Sequence, residues 1–292
     1  MGPGSEAGTT VSFVVSTLNT ASALQEITGT IVLAGAGKMG GAMLTGWLAG
    51  GLDPRRVAVI EPHPSADISA LAAKGIRLNP TPNEIGDVAT LVVAVKPQMF
   101  REAGPALKPF VGASTLVVSI MAGTPIGALH QVCGGSVVRA MPNTPAAIGR
   151  GITVAVAAGN VSAAQRAIAD TLLRATGSVE WVDDAGLMDA VTAVSGSGPA
   201  YIFLLAEELA RAGVEAGLPA ELATKLARET VAGSGELLHR SEDSSATLRK
   251  NVTSPGGTTA AALEVLMAPD GMQPLMIRAV AAATKRSKEL AK

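Results

Sequence analysis

Over the first two thirds of the chain, short apolar runs alternate with amphipathic stretches; in the last third, helical spacing takes over. The runs are Thr30–Ala34, Val57–Ile60, Leu91–Val95, Thr115–Ile120, Ser136–Val138, Ile152–Val156 and Ser178–Val182. Their consecutive apolar, often β-branched residues predict strands buried on both faces. Between them, Ser65–Lys74 and Ser162–Thr176 carry apolar residues at helical spacing. Strands alternating with helices predict an α/β domain with a doubly wound, mostly parallel sheet over residues 29–182.

No strand candidate follows residue 182. Helical periodicity is interrupted only at Ser195–Pro199, Gly217–Pro219, residues 251–257 and Ala268–Gly271, which predicts an all-helical domain over 183–292. Tyr201–Gly213 carries Ile202, Phe203, Leu204, Leu205 and Leu209, more than one helix face requires. A small domain with such wide apolar arcs calls for cover from a second copy, so a homodimer about a two-fold axis is expected. Residues 1–28, with Gly, Ser and Thr and no basic region ahead of an apolar one, read as a disordered tail and not as a secretory signal.

Composition sharpens this picture by exclusion. Net charge is −1 and aromatics make up 2%, leaving neither a basic patch nor stacking platforms for nucleic acid. One cysteine, Cys133, is compatible with a reducing cytoplasm, and with three scattered histidines it gives no metal-ligand spacing. No apolar run is long enough to span a membrane.

The chemistry begins at Gly35-x-Gly37-x-x-Gly40, directly after the first strand and before a helical pattern. In that context the three glycines form the dinucleotide fingerprint of a Rossmann-type domain: a tight turn, backbone approach to a pyrophosphate, and close helix–strand packing. Lys38 and Met39 fall within the same loop. Glu61, 21 residues past Gly40 at the end of the second strand, is placed to bind a ribose 2′-hydroxyl, which favours NAD; a solvated strand end is the alternative. A 2′-phosphate would instead look to His63 and Ser65, so the choice between NADPH and NADH stays open. Ala94-Val95-Lys96-Pro97 and Ala122-Gly123 leave later strands at the edge where ligands bind, and Lys96 reads equally as a ribose contact or a solvated side chain. Asn143, in a proline-stiffened loop, is placed to orient a nicotinamide. Asn83 is read as a cofactor contact or as a helix N-cap. Ser195–Pro199 suits helix packing, with Pro199 in the first turn of the next helix.

Near the C-terminus, Ser254-Pro255-Gly256-Gly257-Thr258-Thr259 halts regular structure ahead of a run of helix formers. Thr258 stands where an N-cap would, so this junction is either an ordinary capped loop or a seat for a small carboxylate among free N–H groups and hydroxyls.

Six segments together resemble the pyrroline-5-carboxylate reductase family: GAGKMG at 35–40, AVKPQ at 94–98, SIMAG at 119–123, RAMPNTP at 139–145, AVTAVSGSGPAY at 190–201 and NVTSPGGTT at 251–259. The resemblance implies a dinucleotide-binding domain followed by a helical dimerisation domain, with dimers assembling into rings, commonly decamers. It implies reduction of L-1-pyrroline-5-carboxylate to L-proline by NADPH or NADH. Carried over by position, Ser254, Gly256, Gly257 and Thr258 seat the substrate carboxylate, Thr259 places its hydroxyl near the ring nitrogen, and Glu242 lies close to the substrate. The family often carries Asn-Arg- or Ser-Arg-like residues after the second strand, where this chain has Glu61-Pro62. A β-hydroxyacid dehydrogenase of similar architecture would use a lysine between Ala185 and Ala210, and none is present. A nicotinamide-binding sensor without turnover is the reading from another class.

Overall fold

The computed structural model describes residues 23–290. They fall into two compact units, one running to Gly196 and joined by residues 287–290, the other spanning Ser197–Arg286.

The first unit is built on one eight-stranded sheet: β1 (Thr30–Ala34), β2 (Val57–Ile60), β3 (Arg77–Leu78), β4 (Val88–Val93), β5 (Leu116–Ser119), β6 (Ser136–Met141), β7 (Gly151–Ala157) and β8 (Gly177–Trp181). Its order is β3-β2-β1-β4-β5-β6-β7-β8, parallel throughout except where β7 runs antiparallel to β6. Strand alternation sends successive side chains to opposite faces. Ile31 and Leu33 of β1 and Val57 and Val59 of β2 join Met43, Leu44, Trp47, Leu172 and Leu173 from the helices Lys38–Ala49 and Ala163–Arg174. Val32, Ala34, Ala58 and Val93 face the other way, against Phe100, Leu107 and Leu129 from the helices Pro97–Leu107 and Ile126–Cys133. Two cores, one per face, make the sheet doubly wound, as the apolar runs predicted.

Three strands differ from the sequence reading, each for a physical reason. β4 spans Val88–Val93 and not Leu91–Val95: Thr90, polar in sequence, is fully buried within it, and the strand ends before Ala94. β6 continues through Arg139 to Met141, beyond the expected end at Val138, so Arg139 belongs to the strand and not to a loop. Burial holds its guanidinium below the ordinary value, while Asp189 opposes that shift. β3 has only two residues, too few to show any period.

The second unit contains the helices Gly198–Glu215, Ala220–Arg240, Ser245–Asn251, Thr258–Leu266 and most of Met272–Leu290. Among the described residues no strand follows β8. Pro199 sits in the first turn of its helix, where its missing N–H costs no bond. Within this unit the buried apolar residues are Ala223 and Ala227, whereas Phe203 is 68% exposed, Ile277 63% and Val265 72%. Five helices with so little covered do not form a self-sufficient core. No described helix is long and apolar enough to cross a membrane.

Trp47 tests the packing of the first unit. Its ring is fully buried, and its Nε1–H donates to the Leu172 carbonyl at 2.8 Å, joining the two helices on one face. Trp47→Phe keeps most of the apolar contact but leaves that carbonyl unpaired, so urea unfolding should show a loss of about 1–3 kcal/mol. An unchanged midpoint would mean that this bond contributes nothing.

Candidate active site

β1 lies between β2 and β4, so the chain leaves it in opposite directions on its two sides, and a crevice opens beyond the strand ends there. Every predicted feature of the nucleotide site leaves this sheet edge or lies close to it in sequence. Gly35 follows β1 with φ +93°, and a Cβ on it would come within 2.7 Å of the Ala94 carbonyl beyond β4. Its own N–H donates to the Ile60 carbonyl of β2, and Ala94 donates to Ala34. Three strands thus converge on one turn that only glycine can make.

Gly37 caps the helix Lys38–Ala49 without a side-chain bond, and the first turn carries no acidic residue. The first intrahelical bond runs from Gly41 N–H to the Gly37 carbonyl, leaving the N–H groups of Lys38, Met39 and Gly40 directed out of the helix start. A Cβ on Gly37 would meet nothing within 4 Å, whereas one on Gly40 would collide with the Gly35 carbonyl. The protein's own packing thus requires glycine at Gly40, while the position of Gly37 borders open space. An uncapped helix start beside open space fits an anionic diphosphate.

The other expected residues of this unit follow strands or open helices of the same sheet. Lys96 caps the helix that Pro97 opens, after Ala94 and Val95 have left β4. Ala122 and Gly123 follow β5, Gly123 at φ +69° with Leu290 about 3.5 Å from where its Cβ would be. Asn143 ends the turn after β6, and its Oδ1 accepts from the Ile152 N–H at 2.9 Å, pinning the antiparallel β6–β7 connection. Asn83 is not the N-cap of its helix: Thr81 is, in a capping box with Glu84, whose carboxylate the Thr81 N–H and hydroxyl hold below its usual pKa. Asn83 itself is exposed.

Glu61 is more constrained than a solvated strand end. Its Oε2 accepts from the Ala36 N–H of the glycine loop at 3.0 Å and its Oε1 from the His63 N–H at 3.1 Å. Ser65 is engaged as the N-cap of Ala66–Ala70, accepting from Ile68 N–H. The residue that sequence reasoning missed here is Asn79. Its side chain accepts from Glu61 N–H at 2.8 Å and donates to the Glu61 carbonyl at 2.9 Å. Local signals gave no hint of it, because the pairing spans 18 residues of chain.

In the second unit, Ser254-Pro255-Gly256-Gly257 closes on itself: Gly257 N–H donates to the Ser254 carbonyl at 3.0 Å, and Gly256 has φ +67°. Proline and then a positive-φ glycine at the centre make a type II turn. The helix Thr258–Leu266 follows, with Gly257, not Thr258, as its N-cap and with no side-chain cap and no acid in its first turn. The reason is geometric: Gly257 has the extended backbone a cap needs, which moves Thr258 into the helix. The N–H groups of Thr258, Thr259 and Ala260 precede the first intrahelical bond, Ala261 to Gly257. Glu242 lies on the exposed bend between Arg240 and Ser245.

A doubly wound sheet with an open glycine-loop helix start at its switch point defines a nicotinamide-dinucleotide-binding oxidoreductase class. Comparison with known proteins narrows this. Residues 185–290 match the profile for pyrroline-5-carboxylate reductase dimerisation, and residues 30–123 that for coenzyme F420-dependent NADP oxidoreductases. The pyrroline-5-carboxylate reductase of Pseudomonas aeruginosa is 39% identical over 265 residues, covering 89% of this chain and 96% of that protein. That of Synechocystis is 42% identical over 249 residues, covering 82% and 89%. Among solved structures, the enzyme from Coxiella burnetii superposes with TM-score 0.83 at 34% identity over 91% of this chain and all of that one. The Plasmodium falciparum enzyme, solved with NADP bound, gives 0.76 at 29% identity over 91% and 99%. The chain belongs to the pyrroline-5-carboxylate reductase family.

The two loop glycines predict opposite outcomes. Gly37→Ala should leave the melting temperature within about 1 °C, since its Cβ meets nothing, yet weaken NADH binding by about tenfold or more. Gly40→Ala should lower the melting temperature by several degrees. Thermal melts with a cofactor titration check both; equal behaviour of the two variants would contradict the assignment.

Proposed function

We propose that this chain reduces L-1-pyrroline-5-carboxylate to L-proline with NADH or NADPH, the last step of proline biosynthesis. The observation that carries this reading is a pair of uncapped helix starts in a member of this family. One follows a dinucleotide loop and the other a Ser-Pro-Gly-Gly turn. When bound, the reduced nicotinamide supplies a hydride to the imine carbon. The protein's own residues bind and orient. Gly35, Gly37, Lys38, Met39 and Gly40 receive the diphosphate, Glu61, His63 and Ser65 border the ribose, and Asn83, Ala94–Pro97, Ala122, Gly123 and Asn143 line the remainder. Ser254, Gly256, Gly257 and Thr258 seat the substrate carboxylate at the positive end of Thr258–Leu266, with Glu242 near the ring.

Fixing the carboxylate on a rigid turn sets the ring's position, and positioning is the larger part of the task, because the protonated imine is already a good hydride acceptor. Thr259 is the proposed catalytic residue. Its hydroxyl is too weak an acid to be the ultimate proton source, so it orients the ring nitrogen or relays a proton to it. Residues 29–182 act as the dinucleotide-binding domain and 183–292 as the dimerisation and substrate domain.

A homodimer through the helical domain follows from its exposed Phe203, Val265 and Ile277 and from its match to a dimerisation profile. A decamer and a cytoplasmic location extend that reading, on family resemblance and on the single cysteine. Light scattering should give a mass that is an even multiple of 29.2 kDa; a monomer would contradict it.

Consumption of NADH or NADPH in the presence of pyrroline-5-carboxylate, followed by absorbance, tests the activity; no consumption with either cofactor would overturn it. Thr259→Ala should lower kcat by roughly 10–100-fold. Turnover at the wild-type rate would remove Thr259 from the mechanism.

A further inference from the structure

We propose that Asn79 is a positioning residue that sets cofactor preference, holding Glu61 so that the site takes a free ribose 2′-hydroxyl in preference to a 2′-phosphate. The inference rests on reading Glu61 as the ribose contact.

Asn79 is the one non-glycine residue with positive φ among those described, at +48°. Asparagine enters that region more readily than other side chains, but still at a cost that the surroundings must offset. What offsets it is a set of three hydrogen bonds. Asn79 N–H donates to the Val59 carbonyl at 2.7 Å, one step past the two-residue pairing of β2 with β3. The left-handed turn then brings the side-chain amide alongside Glu61. The amide oxygen accepts from Glu61 N–H at 2.8 Å, and the amide nitrogen donates to the Glu61 carbonyl at 2.9 Å. The side chain thus does what the next strand residue would have done, pairing both polar groups of a residue that lies beyond the end of β2.

Glu61 cannot slide or rotate its main chain while this clamp holds. From that fixed base its carboxylate reaches the Ala36 N–H of the glycine loop at 3.0 Å, and the His63 N–H takes the other oxygen at 3.1 Å. Each bond uses one lone pair of an oxygen that has two, so both oxygens can still accept from ribose hydroxyls. A 2′-phosphate brings only acceptors and negative charge to the same place, where like charges repel. Nor do Arg55 and Arg77 stand where they could neutralise it: Arg55 precedes β2 and pairs with Asp53 at 3.0 Å, and Arg77 reaches the Thr30 hydroxyl and the Arg55 carbonyl, at the end of the strands opposite Glu61.

Dissociation constants for NAD+ and NADP+ by calorimetry, and kcat/KM for NADH and NADPH, should be measured for wild type, Glu61→Gln, Asn79→Gly and the double variant. Glycine accepts φ +48° without strain, so Asn79→Gly removes the amide and spares the backbone; a melt confirms the fold, and Asn79→Asp, which keeps only the acceptor, is the second variant. Wild type should favour NADH. Glu61→Gln should move the preference towards NADPH by at least about tenfold, and Asn79→Gly by roughly 3–10-fold in the same direction, chiefly through NADH affinity and KM. The double variant should match Glu61→Gln alone in preference, since Asn79 acts through Glu61. If Glu61→Gln shifts the preference and both Asn79 variants weaken the two cofactors equally, Asn79 is merely structural and the inference falls while the Glu61 reading stands. An unchanged preference in Glu61→Gln would overturn the Glu61 reading and the inference with it.

Discussion

Backbone N–H groups at the start of a helix have no partner within it, and something else must accept from them. Some of the described helices meet this demand locally. Ser65, Ser162 and Ser244 each cap their own helix with a side-chain oxygen, and Thr81 does so within a capping box. Several others have neither a side-chain cap nor an acid in the first turn, and of these Lys38–Ala49 and Thr258–Leu266 have a glycine as N-cap, with no Cβ over the helix start. Much of the surrounding structure serves to keep those ends open and fixed. The sheet holds the first through Gly35, which can pass under Ala94 only because it has no Cβ. The Ser254–Gly257 turn holds the second, and its proline and positive-φ glycine settle the backbone before the helix begins.

How much of this was legible in the sequence depended on the range of the interactions. The strands β1 and β2 and the glycine loop announced themselves because their signals are local: a continuous apolar run, then a glycine where no other residue fits. Arg139 hid the second half of β6, since a buried arginine looks in sequence like the end of a strand. Thr258 looked like a cap, but the turn ahead of it gave the cap's extended backbone to Gly257. Glu61 was legible from its spacing, but its pairing with Asn79 lay out of reach, because an amide that pairs with a main chain 18 residues away leaves no periodic trace.

The two units also differ in how they resolve their apolar residues. In the first, strands buried on both faces find helices on both faces, and Ile31, Leu33, Leu91 and Val92 are completely covered. In the second, helices that are apolar over wide arcs leave Phe203, Val265 and Ile277 mostly in water. The first unit thus buries two cores of its own, whereas the second leaves most of its apolar surface uncovered and matches a dimerisation profile. On the proposed reading that difference has a function, since the carboxylate seat lies in the unit that depends on association.

On the proposed reading, a nicotinamide hydride reaches the imine carbon of a ring held by its carboxylate. Incubating the protein with pyrroline-5-carboxylate and a cofactor deuterated at C4 of the nicotinamide, then recording the NMR and mass spectra of the product, tests it directly. The expected product is proline with one deuterium on Cδ, the ring carbon beside nitrogen that does not carry the carboxylate. Proline without deuterium, or no proline at all while cofactor is consumed, would contradict that reading.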